Sequence, residues 1–190
     1  GELLKDSIVY DEENEEVHSS SIGACLAALK LLKETTFRIN LIPNDFANYL
    51  ISENSNLILR KVIVPDHMIK YGHESLIKLL PRESATKDTD LSLLSLIYPY
   101  NIVNKKQAMQ ILKNVEEKLV RHNGVIRYIG DRYYSNEFGE PEWTMGFPWL
   151  AIIYRNLGDI DKYNYYMKKT FLVMNKDGEL PELYYANTRS

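Results

Sequence analysis

The stretch from residue 123 to residue 142 combines side chains that could bind a sugar. It contains Arg127, Tyr128, Asp131 and Tyr133, and Trp143 follows it directly. A guanidinium group offers planar donors that can grip adjacent sugar hydroxyls, and aromatic rings with polar tips can pack on sugar faces. The glycines of the stretch predict a long loop, and loops of this length in a compact domain are usually functional. We therefore interpret it as a candidate binding loop.

Carboxylates that could perform acid–base chemistry lie near both ends of the chain. Glu182 belongs to the segment Gly178-Glu-Leu-Pro-Glu-Leu-Tyr184, and an acidic cluster spans residues 11–16. A carboxylate in a loop is most often a charged surface group without a catalytic role. The same interpretation applies to the acidic cluster of residues 11–16. The functional alternative is a pair in which one group gives a proton and the other takes one, as general acid–base catalysis requires.

Four stretches occur in a set order along the chain. They are Tyr10-Asp-Glu-Glu13 followed by Val17-His18, Asp90-Leu-Ser-Leu-Leu94, Gly124 to Tyr134 followed by Gly139-Glu-Pro-Glu-Trp143, and Gly178 to Tyr184. Together they resemble the second half of the catalytic domain of glycoside hydrolase family 15, the glucoamylase family. The matching family segments are Trp-Glu-Glu…His, Asp-Ala-Ser-Leu-Leu, Arg-Tyr…Asp…Tyr-Tyr and Gly-x-Leu-Pro-Glu-Gln. Each motif alone is weak, but the ordered set is fairly specific and covers nearly the whole chain.

This resemblance implies an (α/α)6 toroid that hydrolyses α-glucosidic bonds with inversion. Glu182 resembles the general base that activates water. Arg127 and Asp131 resemble groups that shape the pocket around the first sugar, and Tyr133 and Trp143 resemble its aromatic lining. The substrate-binding candidates are thus Arg127, Tyr128, Asp131, Tyr133 and Trp143.

The resemblance leaves two registers open for the general acid. The family's acid is the Glu directly after its Trp. If Tyr10 stands for that Trp, the acid position holds Asp11, which is one methylene shorter. If the motif is instead aligned on Val17-His18, Asp11 takes the position of the family's Trp and Glu12 takes the position of its acid. We favour Glu12. In both registers this chain lacks the family's Trp.

The segments that must position these residues mostly show the spacing of apolar residues that is typical of helices. We predict helices from the serines at 19–21 to about Leu32, at about 43–53, near 73–80, after Asn104, from Trp143 to Leu157, and from Asp159 or Asp161 to Gly178. The only strongly β-prone segment lies near 56–64. Helices in pairs with long loops between them predict an all-α protein, a partial (α/α)6 toroid of antiparallel helix hairpins.

The domain prediction follows from the same resemblance. Residues 1–190 are expected to form a single domain, the C-terminal half of a glucoamylase-like barrel in a fragment or split chain. Half of such a ring leaves apolar helix faces open. We therefore expect a partner, either the missing N-terminal half or another copy of this chain, beside the oligosaccharide substrate.

Composition excludes several other classes of function. The net charge is -3 and no run of Lys or Arg stands out, so neither nucleic acid nor a membrane surface is an expected partner. No apolar run is long enough to span a membrane. One cysteine, Cys25, allows no internal disulfide and fits a cytoplasmic setting. No cofactor is expected, and the four histidines lack metal-ligand spacing.

Two other functions stay open at this point. A trehalase of the same family would use the same catalytic groups on a different sugar. A non-catalytic glucosidase-like module would bind sugars or proteins without turnover, and the uncertain acid motivates this alternative. Fold alone does not decide between them.

Overall fold

The computed structural model describes residues 16–40 and 64–187, without the side chains of residues 35–40. Every structural statement below concerns these residues. Three groups of predictions fall outside them: the helix at about 43–53, the β-prone segment near 56–64 except Val64, and the candidate acids Asp11 and Glu12.

Helices make up most of the described structure. The helices are α1 (Ser19–Asn40), α2 (Asp66–Leu79), a 3₁₀ helix (Leu91–Leu96), α3 (Lys105–Lys118), α4 (Gly146–Leu157) and α5 (Ile160–Leu172). Two short strands, β1 (Glu142–Trp143) and β2 (Leu183–Tyr184), pair antiparallel, with Trp143 opposite Leu183.

The helices pack in hairpins, α1 against α2 and α4 against α5. The turn between α4 and α5 shows how the sequence determines such a hairpin. Gly158 takes a left-handed φ of 82°, which glycine adopts without steric cost, and ends α4. Asp159 then accepts a hydrogen bond from the Lys162 backbone N–H at 3.0 Å and caps α5. These hairpins confirm the predicted all-α class.

The 3₁₀ helix lies at the centre of the core. Asp90 caps it by accepting a hydrogen bond from the Ser92 backbone N–H at 2.8 Å. Leu93, Leu94 and Leu96 are fully buried. They share one cluster with the inward faces of α3 and α4, which includes Ile111, Leu112, Val115, Phe147, Leu150 and Ile153.

One predicted helix start is wrong. Trp143 lies in strand β1, and α4 begins only at Gly146. The backbone of Trp143 donates to and accepts from that of Val125, each at 3.0 Å. Because both of its polar backbone groups are used in this pairing, Trp143 cannot enter the helix.

One predicted helix end is also wrong. Helix α5 stops at Leu172, and Gly178 lies in a later turn with a φ of 79°. The backbone N–H of Gly178 donates to the Asn175 carbonyl at 3.0 Å and closes that turn. Glycine serves here as a turn residue and not as a helix cap.

The amphipathic helix predicted after Asn104 is confirmed, and it offers a test of local stability. The Asn104 side chain accepts from the Gln107 backbone N–H at 3.0 Å, and the Gln107 side chain accepts from the Asn104 backbone N–H at 2.9 Å. We expect Asn104→Ala to lower the free energy of unfolding by about 1 kcal/mol, because α3 loses its cap. Urea denaturation measures the loss. Asn104→Asp, which keeps the acceptor, is the control, and equal stability of both variants would contradict the capping role.

Candidate active site

The loop of residues 123–142 is tied to the core at its base. Val125 pairs with both Val120 and Trp143 through isolated bridges. Gly124 passes against the backbone of Glu142, where a Cβ would lie 2.6 Å from the Glu142 carbonyl carbon. Only glycine fits this approach. The buried Glu142 carboxylate also accepts a hydrogen bond from the Asn123 backbone N–H at 2.5 Å. The base of the loop is therefore fixed.

An ion pair between Arg127 and Asp131 lies at the centre of the loop. Arg127 donates through Nε to Oδ2 of Asp131 at 2.6 Å and through Nη2 to Oδ1 at 2.8 Å. The Tyr133 backbone N–H also donates to Oδ1, at 3.1 Å. The Asp131 side chain is fully buried, whereas that of Arg127 is 34% exposed. The hydrogen bonds that Arg127 donates to Asp131 raise the pKa of Arg127, so the guanidinium stays charged.

Two aromatic rings lie beside this guanidinium. Its central carbon lies 4.9 Å from the Trp143 ring centroid and 5.1 Å from that of Tyr133. The two rings are nearly parallel, with centroids 6.3 Å apart and an interplanar angle of 8°. Sequence analysis placed these three residues and Asp131 in one pocket, and the structure brings the four together.

Tyr128 lies on the other side of Arg127, towards the loop of residues 81–90. Its ring centroid is 3.9 Å from the Lys87 ammonium and 5.9 Å from the Arg127 guanidinium carbon. Burial raises the pKa of its hydroxyl, and the negative charge of Asp131 acts in the same direction. Tyr128 therefore borders the Arg127–Asp131 pair but is stacked with a lysine.

Strand pairing places Glu182 next to Trp143. The Thr144 backbone N–H donates to the Glu182 carbonyl at 3.2 Å, and the Thr144 hydroxyl donates to the Pro181 carbonyl. The Glu182 side chain is exposed. A carboxylate on a fixed backbone, open to water, has the arrangement that a general base needs.

Tyr134 lies beside Tyr133 and within the electrostatic influence of Glu182. Hydrogen bonding with Tyr133 raises the pKa of the Tyr134 hydroxyl, and the charge of Glu182 contributes in the same direction. The rings of Tyr133 and Tyr134 meet edge to face at 4.5 Å. Glu182 and Arg127 form no ion pair with each other within the described residues.

Sequence analysis missed Tyr134 and Tyr185 as parts of this surface. Their rings lie 6.4 Å apart, and half of each residue is exposed. Tyr134 has a φ of 58°, an unusual value for a residue with a side chain, which costs roughly 1 kcal/mol or more. The sequence has 14 tyrosines and 5 phenylalanines, an excess that is compatible with a tyrosine-lined site. This excess does not indicate which tyrosines form the site.

A second missed feature is the indole N–H of Trp143. This atom is buried, and no hydrogen-bond acceptor for it exists within the described part of the chain. A buried donor without an acceptor is unfavourable by roughly 1–3 kcal/mol.

The candidate acids Asp11 and Glu12 lie outside the described residues, but the chain that follows them is fixed. Glu16 accepts hydrogen bonds from the Thr86 backbone N–H at 2.6 Å and from its hydroxyl at 2.8 Å. His18 lies against Glu83, with 3.3 Å between Nδ1 and Oε1. The described chain thus begins at the loop that also carries Lys87.

A cavity of about 320 Å³ borders the candidate site, because Tyr128 lines it together with Lys87. Neither Arg127 nor Glu182 lines this cavity or those of about 390, 500 and 550 Å³. No cluster of three or more His, Cys, Asp or Glu side chains within residues 16–40 and 64–187 could hold a metal ion. Over the same residues, no helix is long and apolar enough to cross a membrane.

Solved structures with this arrangement of helices are glycosidases. A wild-type glycosidase superposes with a TM-score of 0.63 at 18% identity, over 94% of this chain and 45% of that one. A variant glycosidase in complex with glucose superposes with a TM-score of 0.61 at 16% identity, over 92% of this chain and 44% of that one. The chain has a glycosidase fold. It spans about half the length of the glycosidase structures that it matches.

Comparison at the level of sequence gives no further assignment. No protein-family model matches the chain, and no curated protein matches it either. The structural match confirms the fold predicted from the four motifs, and the family and the roles of individual residues stay predictions.

Thr144 tests how firmly the Glu182 segment is held. Thr144→Val keeps the shape of the side chain but removes the hydroxyl that donates to Pro181. We expect this variant to lower the free energy of unfolding by about 1–2 kcal/mol, since the Pro181 carbonyl loses its donor, and to speed amide hydrogen exchange at residues 183–184. Thr144→Ser retains the hydroxyl and should keep the slower exchange. Equal exchange in both variants would contradict the anchoring role.

Proposed function

We propose that this chain is the C-terminal half of an inverting α-glucosidase of the glucoamylase type, with Glu182 as the general base. One observation carries the proposal. Four residues spread over 17 positions of sequence, from Arg127 to Trp143, form one polar and aromatic cluster, and the Glu182 segment is paired to Trp143 by strand β2. The likeness to glycosidases, one of them in complex with glucose, supports the same reaction class.

In this proposal the surface binds one glucose unit in a single orientation. Arg127 has both Nε and one terminal nitrogen engaged by Asp131, so its remaining donors face outward with a fixed direction. The exposed Tyr133 presents ring surface to the sugar, and the buried Trp143 ring stacks against Tyr133. Tyr128 closes the side towards Lys87.

Glu182 then acts on the water that attacks the anomeric carbon. Its carboxylate accepts a proton from this water as the oxygen attacks from the face opposite the leaving group. Inversion needs room for that water, so the two carboxyl groups must lie roughly 6.5–9.5 Å apart. The exposed position of Glu182 leaves such room, whereas a retaining enzyme would hold the two groups closer.

The general acid of the proposal is Glu12, with Asp11 as the shorter alternative. Glu12 precedes Glu16 by four residues, a span of at most roughly 14 Å for an extended chain. Glu16 is bonded to Thr86, one residue before the lysine that stacks on Tyr128. In the proposal the acid acts from the side of the loop that carries Thr86 and Lys87.

The proposal includes a partner that completes the barrel. The exposed tyrosines at the site offer apolar ring surface that a partner could cover. The matched glycosidases are about twice as long as the matched region, so an N-terminal half fits this role better than another copy of the chain. A single domain over residues 1–190 and a cytoplasmic setting stay predictions.

Replacement of the base tests the proposal. We expect Glu182→Gln in the full-length protein to lower kcat for glucose release from maltose by roughly 100-fold or more, with KM little changed, because the amide cannot accept the proton. An enzymatic glucose assay measures it. Glu179→Gln is the matched control: Glu179 lies in the same segment, but its carboxylate accepts from the Asn175 side chain.

Three outcomes separate the possible functions. Glucose release that is unchanged by Glu182→Gln would overturn the assignment of the base. Faster turnover of trehalose than of maltose would identify a trehalase. Binding of maltose without turnover, measured by calorimetry, would identify the non-catalytic module.

A further inference from the structure

A groove runs between helices α3 and α5, and none of the sugar-binding candidates lines it. Two cavities of about 550 and 500 Å³ lie along this groove. Asp161 lines both of them, so the two cavities are neighbours. Together we call them the α3–α5 groove. Each volume falls within the range of roughly 300–1,000 Å³ that is typical of small-molecule sites.

Hydrogen bonds to one carboxylate join the two walls of the groove. Glu116 of α3 accepts from the Lys162 ammonium of α5 at 2.8 Å and from the Tyr166 hydroxyl at 2.6 Å. The Tyr166 ring stacks on that of Tyr154 in α4, with centroids 5.8 Å apart and an interplanar angle of 6°. Burial raises the pKa of both tyrosines, so their hydroxyls stay protonated. These contacts fix the spacing of α3 and α5.

The order of the lining residues shows that the groove follows both helices. The cavity of 550 Å³ contacts the start of each helix, with Lys105 and Met109 on α3 and Ile160 on α5. The cavity of 500 Å³ contacts later residues, with Val120 directly after α3 and Tyr165 on α5. Helix α3 is roughly 20 Å long. The groove therefore suits an extended ligand.

Each cavity combines charged groups of both signs with apolar surface. Lys105 and Asp161 line the first cavity, whereas Lys162 and Glu117 line the second. Tyr165, half of which is exposed, adds an aromatic ring to the second cavity. Hydroxyl groups both donate and accept hydrogen bonds, so a sugar can use ammonium and carboxylate groups together, and its apolar face can pack on the ring. A simple ion would instead meet a group of its own sign in each cavity.

The groove ends next to the base of the loop of residues 123–142. Val120, which lines the second cavity, forms a β-bridge with Val125 of this loop. At the same end, the Lys169 ammonium of α5 donates to the His122 carbonyl at 3.2 Å. A ligand in the groove is therefore held near the backbone pairing that supports the candidate active site.

We propose that the α3–α5 groove is a second binding site for an α-glucan chain, separate from the candidate active site. This inference rests on the proposed function, which supplies the class of ligand. A long glucan that is bound in the groove stays close to the candidate active site, and its effective concentration there rises. Maltose is too short to occupy both sites, so it gains nothing from the groove.

Affinity electrophoresis of the full-length protein tests this site. Native gels that contain amylose or dextran retard a protein that binds these glucans, and Glu182→Gln in every sample slows hydrolysis of the polysaccharide. We expect Tyr165→Ala to weaken the apparent affinity for the retarding glucan by roughly 5- to 10-fold, because the exposed ring is lost. Phe171→Ala is the matched control, since Phe171 lies on the same helix, is 61% exposed and lines neither cavity.

A second variant guards against an effect on packing. The Tyr165 ring meets that of Tyr166 edge to face at 5.0 Å, so Tyr165→Ala also removes a contact within α5. Asp161→Ala leaves this contact intact and removes the exposed carboxylate that lines both cavities. We expect it to weaken the apparent affinity by roughly threefold or more, because sugar hydroxyls lose an acceptor.

Kinetics give a second readout, with Glu182 intact. Tyr165→Ala should lower kcat/KM on soluble starch or dextran, whichever glucan retards the protein, by roughly threefold or more. It should leave kcat/KM on maltose unchanged, because the residues of the candidate active site stay in place. Equal losses on the long glucan and on maltose would contradict a separate site.

The outcomes distinguish this inference from the proposed function. Retardation that is absent with both glucans, or that both groove variants leave unchanged, would overturn the inference even in a protein that hydrolyses maltose. An equal effect of Phe171→Ala would overturn it as well. If the groove variants lose retardation in a protein whose wild-type form hydrolyses none of maltose, trehalose, starch and dextran, the glucan site is supported and the proposed function fails.

Discussion

The paired hydrogen bonds between Arg127 and Asp131 are the interaction on which the candidate site depends. A fully buried carboxylate is strongly unfavourable unless donors surround it. Asp131 meets this condition with two guanidinium donors and the Tyr133 backbone N–H. The same bonds remove the freedom of the arginine, fix its plane beside Trp143, and hold Tyr133 in place. The loop of residues 123–142 therefore holds these polar and aromatic side chains in fixed positions.

The sequence predicted what depends on short-range patterns. The 3.6-residue period and the cap at Asn104 were sufficient to place α3. The convergence of Arg127 and Asp131 also follows from their closeness in the chain. The family resemblance, and not the period, placed Glu182 in the same site.

The sequence could not predict features that depend on distant pairing. Trp143 leaves the helix pattern because its backbone pairs with Val125 and its strand pairs with residues 183–184. No short-range sequence pattern indicates that Trp143 pairs with Val125 and lies opposite Leu183. The attachment of residues 16–20 to Glu83 spans more than 60 positions, so a lone glutamate in a polar loop gave no indication of its burial.

A crystal structure of the full-length protein carrying Glu182→Gln, soaked with maltose, tests the central claim most directly. The account predicts a glucose unit whose hydroxyls accept hydrogen bonds from Arg127, with the Tyr133 ring against the sugar. The side chain at position 182 should be directed at the face of the anomeric carbon opposite the glycosidic oxygen. Maltose bound elsewhere, or bound here with position 182 directed away from the sugar, would contradict the account.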